Sequence, residues 1–301
     1  MDSTVTREIL KKVRLVELRA RRLVTDVLAG EYRSVFKGRG MDFDEVREYT
    51  PGDEVRLIDW NVTARTGTTF IKKLREEREL TILLAVDVSA SGKFGSQAQS
   101  KRELAAEVAS VLAFSALRNR DKVGLLLFTD EVEQFLPPKK GRQHVLRVIR
   151  EILFCAPQRR GTDIAAALDF LRDVQRRRAV VFVLSDFIDS PASFERMRLQ
   201  LRLTNKRHDV VLLHLRDRRE EELPPVGLLT LEDAETGEVM EVDTNSRHVR
   251  EAFRRRALER MEVFRRAARQ AGADALELRA GEPYDQALYA FFQNRASRRL
   301  R

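Results

Sequence analysis

Three oxygen-bearing side chains stand at alternate positions in Asp87-Val88-Ser89-Ala90-Ser91, directly after the apolar run that begins at Leu80. In an extended segment alternate residues face one side, so these three can point toward a common centre if the loop curls. Gly92 follows and permits the curl. A second apolar run, Ala179–Leu184, ends in Ser185-Asp186, and Gly161-Thr162-Asp163 lies between the two in a loop leading into a helix. None of the four histidines, and not Cys155, falls at such a position. Oxygen-only donors suit a hard cation such as Mg²⁺, which takes octahedral oxygen ligation at about 2.0–2.1 Å. The two carboxylates, Asp87 and Asp186, carry about as much negative charge as a divalent cation carries positive. If hydroxyls fill the direct positions and carboxylates act through water, the metal stays electron-poor and takes a carboxylate from outside.

The elements that must position these residues are legible in the hydrophobic pattern. Leu80–Asp87 is a continuous apolar run, as a strand buried on both faces requires. Helix follows at 101–118, then a strand over Lys122–Phe128 with Val132–Leu136 hairpinned to it. Helices are expected at His144–Phe154 and Asp163–Gln175, and a doubly buried strand at Ala179–Asp186. A helix at 193–203 and a strand at Asp209–Leu215 come next. Residues 227–242 read as a β-hairpin turning at Glu235–Gly237, and a long helix spans Arg247–Ala271 with Gly272 as its terminator. Ala275–Leu278 supplies a last strand and Tyr284–Phe292 a terminal helix. Alternation of strand and helix predicts an α/β fold: a doubly wound, mostly parallel sheet flanked by helices, in which ligands bind beyond the carboxyl ends of the strands. Ahead of it, residues 6–29 form an amphipathic helix. The turn-rich stretch Tyr32–Glu79 forms a small mixed extension, with short strands around 42–48 and 68–75. The expected division is residues 1–79 for the helix and extension, and 80–301 for the α/β domain with its hairpin insertion.

Asp-x-Ser-x-Ser, then Thr162, then Asp186, in that order, resembles the metal-ion-dependent adhesion site of von Willebrand factor A domains. The resemblance implies that Asp87, Ser89, Ser91, Thr162 and Asp186 are the metal ligands. The two serines and the threonine would lie closest, with one or both aspartates acting through water. The segment FKGRGMDFDEVREYTPGDEVRLIDWNVTARTG at 36–67, followed by EERELTILLAVDVSAS, resembles the bacterial domain-of-unknown-function-58 family. That family carries a von Willebrand factor A-like domain behind such a segment. Its members are often encoded beside MoxR-type AAA+ ATPases and are thought to act with them in chaperone-like maturation of other proteins. Many relatives carry transmembrane helices before this region, whereas this chain shows no apolar run near the ~20 residues a span needs. The resemblance implies a non-catalytic, metal-dependent protein-interaction module. Its metal would be Mg²⁺ or another divalent cation such as Mn²⁺ or Ca²⁺. Its partner would supply an Asp or Glu to the metal, and a MoxR-type AAA+ ATPase is the partner expected.

Other readings of these residues exist. Asp87 can cap a neighbouring backbone in a Ser-rich connection, but Thr162 and Asp186 occur where the metal motif needs them. Asp163 reads as a helix cap. An Asp ending the first strand can also be the nucleophile of a Mg²⁺-dependent phosphohydrolase, yet Ser89 stands where the haloacid dehalogenase type has its second Asp. The formal net charge is +9, and 14 Lys/Arg face 7 Asp/Glu between Asn245 and Arg301. A nucleic-acid surface is the sharp reading of that tail, and a solvated Arg-rich helix is the favoured one. Trp60 is expected half-buried, bracing the N-terminal region against the sheet. Arg56, Arg65 and Asp53 are expected to pair nearby, His214 to be a satisfied core histidine, and Cys155 a small core residue. A single cysteine and the lack of an apolar export signal point to a cytoplasmic address.

Overall fold

The computed structural model describes residues 3–24, 40–77, 79–96, 98–188 and 191–299. It divides into two compact units, residues 36–80 and residues 1–35 with 81–301. The N-terminal helix therefore groups with the sheet-bearing unit, not with the extension that follows it in sequence.

The small unit is an antiparallel pair, β1 (Gly40–Glu48) and β2 (Phe70–Glu77), with a register shift between Phe43 and Glu45. A short helix, α2 (Trp60–Thr66), connects them, started by Asp59 accepting from the backbone N–H groups of Asn61 and Val62 and ended by left-handed Gly67. Asp53 pairs with Arg47 at 2.6 Å and accepts from Thr50, so the expected pairing with Arg56 or Arg65 is replaced by a closer partner. Trp60 is 67% exposed. The expectation that its area would be buried fails because it opens a surface helix of seven residues with no buried side chain.

The large unit is built on a six-stranded sheet. Its strands are β3 (Thr81–Asp87), β4 (Lys122–Phe128), β5 (Val132–Lys139), β6 (Val180–Ser185), β7 (Asp209–Arg216) and β10 (Asp274–Arg279). The order is β10-β7-β6-β3-β4-β5, parallel throughout except for β5 against β4. Strand β4 lies on one side of β3 and β6 on the other. The direction of winding reverses between β3 and β6, and that is where a doubly wound sheet opens a crevice for a ligand.

Helices cover both faces. On one side α5 (Ile164–Val174), α6 (Pro191–Arg207) and α7 (Arg247–Ala271) pack on Leu83, Ala85, Val181 and Val183. On the other lies α3 (Lys101–Arg118), with α4 (Arg142–Phe154) and α1 (Ser3–Leu23) packed against it. Helix α3 is buried almost all round, since sheet, α1 and α4 enclose it; an all-round apolar helix belongs in such a place. Ion pairs Arg19–Glu107 and Arg142–Glu17 fasten α1 to this layer. The hairpin β8 (Leu228–Glu232) and β9 (Val239–Asp243) forms a separate two-stranded sheet, and α8 (Asp285–Arg299) closes the chain. No helix among the described residues is long and apolar enough to cross a membrane.

Two smaller expectations need correction. His214 is buried against Phe187 and Phe264 and hydrogen-bonds the Asp186 backbone, but its Nδ1 finds no hydrogen-bond partner among the described residues. Cys155 is only half-buried, because α4 ends at Phe154 and turns it out of the apolar face.

Candidate metal centre

Strand β3 ends with Asp87 level with Phe128 of β4, and Val86 sits beside Leu184 of β6. The parallel register thus delivers Asp87 and the Ser185-Asp186 pair to the same rim of the sheet. Beyond Asp87 the chain turns, with Asp87 Oδ1 accepting the Ser89 N–H at 2.9 Å. Residues Ala90–Lys93 then form one turn of 3₁₀ helix, which supplies the curl that the spacing requires. Ser89 Oγ and Ser91 Oγ lie 3.0 Å apart. The backbone N–H of Ala90 donates to the Arg160 carbonyl and that of Asp163 to the Thr129 carbonyl, so the loop carrying Thr162 is stitched to the rim. Asp163 caps α5 by accepting from the Ala166 N–H at 3.0 Å. Thr162 Oγ1 stands 3.4 Å from Asp87 Oδ2, which also accepts the Ser185 hydroxyl at 2.6 Å.

Asp186 completes the group. It hydrogen-bonds Ser91 and accepts the Ile188 N–H at Oδ1. The chain leaves it through Phe187, a bulky residue at φ 51°, a left-handed conformation that such side chains rarely adopt. Its ring is held between His214, centroid distance 5.7 Å, and Phe264, 4.6 Å. The structure therefore brings Asp87, Ser89, Ser91, Thr162 and Asp186 into one connected cluster.

The electrostatics of this cluster favour a cation. Burial, with the neighbouring Asp186 charge, pushes the Asp87 carboxyl up to about 6, while the hydrogen bonds from Ser185 and Ser89 oppose the rise. Burial acts on Asp186 too, but the Lys101 ammonium together with the hydrogen bonds from Ser91 and the Ile188 N–H outweighs it and keeps that carboxyl below its ordinary range. Two buried carboxylates and three hydroxyls are a donor set that fits a hard divalent ion, although Lys101 already stands against one side of Asp186. No group of three or more His, Cys, Asp or Glu side chains suited to a metal is found among the described residues. Any metal here must accordingly draw on the Ser and Thr hydroxyls. Between Asp87, Ser91, Lys101 and Asp186 is a cavity of only about 10 Å³, room for a single water-sized occupant.

Three residues of this neighbourhood escape sequence reasoning. Lys101 is 1% exposed, and its Nζ donates to Asp186 Oδ2 at 2.6 Å and to Glu220 Oε1 at 2.5 Å. One signal was available: Lys101 opens α3, where the helix dipole disfavours positive charge, so a specific partner was needed. Glu220, just after β7, gives no local sign of that role. Glu235, at the turn of the β8–β9 hairpin, accepts the Thr162 hydroxyl at 2.9 Å. Burial, joined by the charges of Asp186, Asp87 and Asp233, pushes the Glu235 carboxyl up to about 7 against the pull of the Thr162 hydrogen bond.

Comparison with known proteins places the chain. It is 34% identical over 285 residues to an uncharacterized protein of Mycobacterium tuberculosis, covering 94% of this chain and 88% of that one. An uncharacterized Bacillus subtilis protein, YeaD, is 30% identical over 107 residues, 36% of this chain and 25% of its own. Among solved structures, the conserved hypothetical protein BatB of Bacteroides thetaiotaomicron superposes with a TM-score of 0.47 at 16% identity, covering 72% of this chain and 99% of that one. A von Willebrand factor type A protein of Catenulispora acidiphila gives 0.41 at 10% identity, with 72% and 42% covered. A family model matches residues 45–263, so the chain belongs to the family described as protein of unknown function DUF58.

Proposed function

We propose that this protein is a non-catalytic interaction module that holds a divalent cation, Mg²⁺ or a similar ion, at Asp87, Ser89, Ser91, Thr162 and Asp186. An acidic side chain of a partner protein would complete the coordination. The observation that carries this reading is the meeting of those five side chains at the point where the sheet reverses its winding. A MoxR-type AAA+ ATPase is the partner the family resemblance supplies, in chaperone-like maturation or assembly of client proteins.

The same arrangement weighs against the phosphohydrolase reading. Asp87 is 8% exposed and already accepts from Ser185 and from the Ser89 backbone, so little of it is open to attack a substrate. The nucleic-acid reading draws on the basic tail, but much of that charge is already matched. Arg247 pairs with Glu251, Arg255 with Glu259, and Arg265 with Glu262 and Glu277.

Calorimetric titration of the full chain with Mn²⁺ and Mg²⁺ tests the proposal. One site is expected, lost in Asp87→Ala, and binding to the purified MoxR-type ATPase of the same organism should disappear on chelation. Metal-independent binding by the Asp87→Ala protein would overturn it, as would phosphate-ester hydrolysis that depends on Asp87.

A further inference from the structure

We propose that Glu235 is this site's own acidic ligand, carried on the β8–β9 hairpin and seated where a partner's carboxylate must enter. The inference rests on the metal-site reading and adds to it an occupant that belongs to the chain itself.

Geometry is the first support. Glu235 Oε1 takes the Thr162 hydroxyl at 2.9 Å, while the same hydroxyl is 3.4 Å from Asp87 Oδ2. A carboxylate therefore sits one atom away from the predicted ligand set. It comes from a segment 73 residues distant in sequence. The Asp186 and Asp87 charges act on Glu235 across this short gap, with Lys101 as the counter-charge on Asp186. Like charges gathered in this way repel, and a divalent ion among them relieves the repulsion.

The build of the hairpin is the second. Its tip is a preset turn: Asp233 Oδ1 accepts the N–H groups of Glu235 and Thr236, both at 2.9 Å, and Gly237 takes φ 75° to close it. Its base is clamped by buried Thr244, whose hydroxyl donates to the Gly227 carbonyl at 2.6 Å and accepts the Val226 N–H. Between base and tip the strands pair only with each other, leaving Leu228, Val239 and Met240 more than 60% exposed. The hairpin is a stiff arm fixed at its root and resting on the site through Glu235. A partner presenting Asp or Glu to the metal has to lift that arm, so the hairpin sets a threshold for binding.

Hydrogen exchange of the full chain with and without Mn²⁺, together with Mn²⁺ calorimetry, decides the matter. In the native protein Mn²⁺ should slow exchange of the 228–243 amides by about tenfold. Glu235→Gln should lose that protection while still binding Mn²⁺, with affinity weakened by ~10-fold. Glu238→Gln, an exposed position on the same hairpin, should behave as the native chain. Equal protection in the native and Glu235→Gln proteins, or none in either, overturns the internal ligand while the metal site stands. If the native chain binds no Mn²⁺, the metal site and the internal ligand fall together.

Discussion

Helices α3 and α7 carry charge in opposite ways. α7 runs 25 residues with Arg254, Arg255 and Arg256 in open solvent, and it buries only a stripe that includes Met261, Phe264 and Ala268. α3 is enclosed on nearly every side and keeps a lysine at its first turn, 1% exposed, against Asp186 and Glu220. The arginines of α7 are conspicuous in the sequence, yet exposed pairs contribute little because water screens them. The single lysine is nearly silent in the composition and holds a buried carboxylate of the candidate site. Burial and pairing, more than abundance, decide which charges matter.

The largest expected effect tests that statement directly. Lys101→Met strands Asp186 and Glu220 without their cation and should cost about 3–5 kcal/mol in urea unfolding. Adding Asp186→Asn should recover part of the loss, and strictly additive losses would break the contrast between the helices.

His208 sharpens it from another side, as a buried group that avoids charge. Burial, then Arg207 and Arg178, lowers its pKa from 6.5 to about 4, and its Nδ1 accepts the Ala179 N–H. The folded value lies below the unfolded one, so this contribution to stability is whole above pH 6.5. It declines as pH falls toward 4, by up to ~1.4 kcal/mol per pH unit. Urea midpoints at pH 7 and 5 should show a drop that His208→Leu flattens.

Ser100 caps α3 in a reciprocal box with Glu103, and Ser100→Ala should cost about 1 kcal/mol by thermal unfolding. At the small end, Arg255→Ala on the open face of α7 should change stability by less than about 0.5 kcal/mol. A loss comparable to that of Lys101→Met would show that the arginine face is structural after all.

These contrasts also mark what a sequence can convey. The apolar run into Asp87 and the stripe from Arg247 to Ala271 are local patterns, and the strand β3 and helix α7 followed from them closely, while the order of strands in the sheet did not. Asp87, Ser89 and Ser91 were legible because alternate spacing ties their positions to one another. Lys101 meets partners 85 and 119 residues away, and no local period encodes such a meeting. Glu235 was visible as part of a turn, but where a hairpin tip comes to rest depends on the whole fold. Trp60 misled for a related reason: size argues for burial only when a neighbour exists to cover it. Helix α1 was readable as an amphipathic element, though not that α3 and α4 would be what it covers.

The left-handed step at Phe187 has a mechanical meaning. Asp186 points where it does because the next residue bends sharply, and that bend persists because its ring is wedged against Phe264 of α7 and His214 of β7. The inner surface of the arginine-covered helix is thus a strut under the rim. The position of the Asp186 carboxylate therefore depends on an aromatic contact made from outside its own loop.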